Sequence, residues 1–163
     1  MAQPTKQQIL EYLNSQFTNA NTEGSSISPN TMKQWSKNKS FDLNDIESNS
    51  NIPWVKAYVA LNSTIPIQSL LDTNDDKYLS FLGARSDMTI ALLLANSDRN
   101  WNWRYISRNT ELSISDLVTN FPDKINWRDI IERDDFTQYD FTTYAPQIPL
   151  NVLILFPNFF NTP

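Results

Sequence analysis

Two pairs of adjacent acids, Asp75–Asp76 and Asp134–Asp135, come nearest to a reaction centre by residue type and spacing. Paired carboxylates serve glycoside hydrolysis when they flank a bond, and cation binding when they converge on one point. Each pair here falls in a loop between expected helices, where acids chiefly solvate a surface or cap a helix. The stretch DTNDDK lacks the Gly and the distal Glu of an EF-hand loop. The chain has no His and no Cys. That removes zinc sites of the usual kind, Ser-His-Asp and Cys-His nucleophile systems, and the commonest general base near neutral pH. With Gly only at Gly24 and Gly83, phosphate-cradling loops are excluded as well. The expectation is a protein that is not an enzyme, with no catalytic residues, no metal and no cofactor.

The remaining groups of interest suit binding. Arg104 and Arg108 stand at i and i+4, on one face of an expected helix, and with Arg128 would form a ridge across adjacent segments or simply a solvated face. Five Trp residues, Trp35, Trp54, Trp101, Trp103 and Trp127, suit either a core or the anchor points of a protein interface. Trp101 and Trp103 are two apart and cannot share one helix face, so one of them, taken as Trp101, is a candidate exposed contact.

Composition sets wider limits. At 163 residues, with 40% hydrophobic and 19% charged residues, the chain is expected to fold as one body with a substantial core. A net charge of -5 argues against nucleic acid as the main partner, because phosphate binding needs a surplus of Lys and Arg. The beginning MAQPTKQQILEYL lacks the basic and apolar regions of a secretory signal, and no apolar run reaches the length of a membrane span. A soluble intracellular protein, or part of an assembly made inside a cell, is expected.

These groups are set on a periodic scaffold. Ser36, Asn38, Phe41, Leu43, Asp45, Ile46 and Asn49 lie over Ser107, Asn109, Leu112, Ile114, Asp116, Leu117 and Asn120. Units beginning at Met32, Lys56, Leu79, Trp103 and Trp127 are 24, 23, 24 and 24 residues apart. Phe41, Ile65, Met88, Leu112 and Phe136 share one place in the unit, and Ile46, Leu70, Leu93, Leu117 and Phe141 another. Between them come Asp42, Pro66, Thr89, Ser113 and Thr137, read as helix N-caps, with Asp45, Asp116 and Asp140 at N3 and the apolar pair placed as a hydrophobic staple. Pro66 cannot cap through its side chain, so Thr64 is expected to cap there with Pro66 in the first turn. Upstream of each start a short helix is expected, carrying Trp54, Tyr58 and Val59 in one unit and Trp101, Tyr105 and Ile106 in another. It would end at Asn38, Asn62 or Asn109 in the left-handed conformation. The fold class is all-α: a short α-solenoid of about five 24-residue helical-hairpin repeats.

The ends differ from the middle. Residues 1–31 are expected to hold a capping helix, opened by Thr5 with Gln8 and lined by Ile9, Leu13 and Phe17, and a flexible connection over 19–30. Residues 32–144 form the repeat domain. Residues 145–163 read as an extended apolar tail bounded by Pro149 and Pro157. This tail either covers the last repeat or docks onto a partner through Leu150, Val152, Leu153, Ile154, Leu155, Phe156, Phe159 and Phe160.

The string Asn100, Trp101, Asn102, Trp103, Ile106, Ser107, Asn109, Leu112, Ser113, Ile114, followed by Pro122, Asp123, Lys124, Asn126 and Trp127, resembles a repeat family of mimivirus-type giant DNA viruses. Units of that family read Trp-(Asp/Asn)-Trp, Leu-Ser, Asn-Pro and Ile-Thr, with a Pro-Asp-Lys loop before the next Trp. The likeness is closest over Asp98–Arg133 and fainter over Met32–Asn96. Lys39, Ser63 and Thr110 stand where the family has Pro after the turn Asn. The resemblance implies a viral origin and a helical repeat fold; it carries no catalytic residue. The functional expectation is a non-enzymatic structural or protein-binding component of a large viral particle, or else a soluble adaptor binding host proteins. Its place would be the virion or the host cytoplasm.

Overall fold

Short helices joined by tight turns make up the protein, as a computed structural model describes it over residues 3–18 and 27–160. Among these residues there is no strand, and the fold is all-α. The chain divides into two compact units, Met1–Leu82 and Gly83–Pro163, with the boundary inside the 32–144 segment.

The first unit holds α1 (Lys6–Thr18), α2 (Pro29–Ser36), α3 (Leu43–Ser48), α4 (Lys56–Val59), α5 (Ile67–Asp72), a 3-10 turn (Asp76–Tyr78) and α6 (Leu79–Leu82). The second holds α7 (Ile90–Ala95), α8 (Trp103–Arg108), α9 (Ile114–Asn120), α10 (Trp127–Ile131), α11 (Gln138–Tyr144), a 3-10 turn (Ala145–Gln147), α12 (Leu150–Leu153) and a last 3-10 turn (Pro157–Phe160). Helices this short are not stable alone in water, so tertiary burial must hold them. In the first unit α2 packs on α4 and α4 on α6; in the second α7 packs on α9 and α8 on α10. Phe41, Ile46, Ile65 and Leu70 are fully buried in one unit, and Leu93, Ile106, Leu112 and Leu117 in the other. Each such side chain contributes about 1.5–3 kcal/mol on leaving water.

Helix starts follow from side-chain chemistry. Asp42, Thr89, Ser113 and Thr137 each accept from the backbone N–H three residues on, and Asp45 and Asp140 return the bond to complete a capping box. Thr5 and Gln8 do the same for α1. One backbone bond recurs at every start: Ile46 to Asp42, Leu70 to Pro66, Leu93 to Thr89, Leu117 to Ser113 and Phe141 to Thr137. A second precedes it, from Phe41 to Asn38, Ile65 to Asn62, Met88 to Arg85, Leu112 to Asn109 and Phe136 to Arg133.

Several expectations need correction. Pro66 itself occupies the N-cap of α5, and the Thr64 hydroxyl bonds Asn62 and Lys39 instead of capping. Trp54 and Trp101 lie ahead of α4 and α8, not on them; their indoles donate to the carbonyls of Asn49 and Asn96, at 3.1 and 2.8 Å. Asn38, Asn62 and Asn109 are not left-handed, since the one positive φ of a non-Gly residue among the described residues is 59° at Asn74. Their side-chain oxygens accept instead from the N–H two residues on, an Asx turn that closes the backbone without the left-handed conformation. Segment 145–160 is helical, not extended, because Pro149 precedes α12 and Pro157 opens a 3-10 turn, positions where a missing N–H costs nothing. Most of the expected 19–30 connection lies outside the described residues; its end, Ser28, caps α2 with Pro29 at the first helical position.

Candidate interaction surfaces

One member of each acidic pair, Asp75 and Asp135, serves the fold. Asp75 caps the turn over Asp76–Tyr78 and binds Lys56 Nζ at 2.8 Å. The Lys56 hydrogen bond holds the Asp75 carboxyl below its ordinary value. Lys56 also sits 3.6 Å from Glu47 and over the Tyr78 ring. Burial, and then the hydrogen bond it donates to Glu47, push the Tyr78 phenol far above its usual range. Asp135 holds Arg133 through two bonds, at 2.6 and 2.7 Å. No group of three or more potential metal ligands converges among the described residues.

Arg104 and Arg108 do come together, and a residue missed in the sequence explains why. Asp129, in the first turn of α10, has its carboxylate 1% exposed between them. Arg104 Nε donates to Oδ2 at 3.2 Å. Arg108 Nε lies 2.6 Å from Oδ1 but off the N–H direction, so this contact is an ion pair without a directed hydrogen bond. A buried carboxylate is tolerated only when paired, and the two guanidiniums do this from the side open to water, 67% and 50% exposed. Arg108 also reaches Glu132, which Arg128 binds from the next turn. The Arg128 hydrogen bond lowers the Glu132 carboxyl. Asn102, Arg104, Tyr105 and Arg108 line a hollow of about 210 Å³ beside this cluster. The signal for Asp129 was present: Asn126 caps α10 by accepting from the Asp129 N–H, the same cap-plus-acid spacing read elsewhere.

Trp101 is buried, 4% exposed, and so is withdrawn from any partner; Trp103 is half-buried against Phe121 with Lys124 over its ring.

The C-terminal segment folds back. Phe159 stacks on Phe141 at 4.9 Å and meets Phe136 edge-on, while Phe160 meets Phe141 edge-on. Val152, Leu153, Phe156 and Phe159 are half-buried. Leu150, Ile154, Leu155 and Phe160 remain exposed, with Leu150 and Ile154 one turn apart on the same face. No charged residue occurs from Phe141 to Phe160. Tyr139 is 78% exposed at the start of α11.

No family model, curated protein or solved structure matches this chain. No helix among the described residues is long and apolar enough to cross a membrane.

Proposed function

We propose that the chain is a tandem helical-repeat protein that works by binding other proteins and not by catalysis. Its units of about 24 residues run from Met32 to Tyr144 as a short solenoid, with α1 covering the first. Two backbone bonds made in the same way at five places support this reading. The observation that carries the functional part is that four apolar side chains within eleven residues, Leu150, Ile154, Leu155 and Phe160, are left in water on a segment without charge. Apolar side chains grouped in this way mark interaction sites in soluble proteins. The partner belongs to a large viral particle in which this chain is a minor structural component, a reading supported by the resemblance over Asp98–Arg133.

Two measurements test it together. Sedimentation of the purified chain and mass spectrometry of purified particles are expected to show association and presence in the particle. Leu150→Asp with Ile154→Asp is expected to remove the chain from particles while leaving its helical circular dichroism intact. A chain that stays monomeric and is missing from every particle fraction overturns the reading.

A further inference from the structure

The hollow beside α8 has a chemistry unlike the rest of the molecule. In a chain of net charge -5, it is lined by Asn102, Arg104, Tyr105 and Arg108, with no acid among them. The two guanidiniums are restrained, because Arg104 Nε donates to the buried Asp129 carboxylate and Arg108 Nε pairs with it by charge. Asp129 can neutralise one of them, and Glu132 is shared between Arg108 and Arg128. One positive charge is therefore left over at the hollow. The terminal nitrogens of Arg104 bond no protein group among the described residues, and its side chain is two-thirds exposed. A guanidinium fixed along one edge keeps its other donors in a plane, the geometry that a two-oxygen anion accepts.

We infer that Arg104 and Arg108 form an oxyanion-binding site, taking a carboxylate or phosphate group with Asn102 and Tyr105 beside it. The buried carboxylate is its anchor, spending its charge on orientation and leaving the terminal nitrogens of Arg104 for the ligand, while Arg108 keeps one on Glu132. The site stands on α8 and α10 alone and does not depend on the apolar C-terminal face.

The test titrates the full chain, at fixed ionic strength held with chloride, with inorganic phosphate and separately with a tetraglutamate peptide. Arginine Nε–H signals of Arg104 and Arg108 are followed by NMR. Saturable shifts of both signals with at least one probe are expected. Tighter binding of the peptide assigns the site to carboxylates of a partner protein, and tighter binding of phosphate to a free anion. Arg104→Gln leaves Arg108 on Asp129 and is expected to weaken binding at least about tenfold, with Arg104→Lys intermediate because it keeps charge without the planar donor set. Asn102→Ala, which touches neither ion pair, is expected to weaken binding while leaving thermal stability unchanged. Shifts no larger than those caused by added chloride, or equal affinity in Arg104→Gln, overturn the inference.

Discussion

Asn62 and Arg133 do the same job in the two units by different means. Asn62 Nδ2 donates to the carbonyls of Asn38 and Phe41, in the turn before its own, at 3.0 and 2.8 Å. Asn109 treats Gly83 and Arg85 alike, both at 2.8 Å. In each case Oδ1 closes the residue's own turn, so donors and acceptor are all used. Arg133 reaches back to the Leu112 carbonyl at 3.0 Å. Its charge then needs Asp135 two residues on, and Nη1 is still buried without a hydrogen-bond partner among the described residues. Arg85 with Asp87 has the same local pairing, at 2.6 Å. A neutral amide fits the clasp without help, whereas a guanidinium brings longer reach and an obligation to a counterion.

The comparison can be broken most strongly at Asn109. Replacing it by Ala strands two buried carbonyls, and a loss of about 3 kcal/mol is expected in denaturant unfolding. Asp135→Asn should cost less, about 2 kcal/mol, because Asp135 is half exposed and water partly compensates Arg133. The matching change at the Asn turn, Glu111→Gln, should stay within about 0.5 kcal/mol, since the turn uses only the Glu111 backbone N–H. Equal losses at the two positions would erase the distinction. Gly83→Ala sharpens it further: an added Cβ would meet Ile106 Cγ1 at 2.6 Å and the Ile106 backbone nitrogen at 3.2 Å. The Asn109 clasp thus requires close backbone approach at Gly83, and a loss of about 1–2 kcal/mol is expected.

The smallest effect is in pH. Hydrogen bonds from Arg133 and Arg85 hold the Asp135 and Asp87 carboxyls below their ordinary range, with partial burial opposing. The unfolded chain therefore takes up protons first as pH falls. Their contribution is complete above about pH 4 and is lost as pH drops through the lowered folded values. The stability of Asp135→Asn should fall less steeply with acid over that window than that of the parent chain, as urea unfolding at stepped pH would register.

What could be read from residues alone was local. Asp42, Thr89, Ser113 and Thr137 announce helix starts because capping is decided within four residues, and Thr5 with Gln8 announces α1 for the same reason. Asn62 and Asn109 were recognisable as turn residues, but not as clasps, because their partners lie more than twenty residues back in the chain. The buried place of Asp129 was hidden too: its spacing from Asn126 speaks only for a cap, and the arginines covering it come from another helix. The stretch LNVLILF deceived by composition, since an apolar run has no period of its own and its flanking prolines suit a helix start as well as a strand end.

If neighbouring segments are joined by amide clasps, the side-chain NH2 protons of Asn62 and Asn109 should be among the slowest in the molecule to exchange with solvent. NMR hydrogen exchange on the intact chain measures this against the exposed Asn44, whose NH2 bonds no protein group among the described residues. Strong protection at Asn62 and Asn109 with none at Asn44 is the predicted result. Exchange at all three with the same rate would contradict the account.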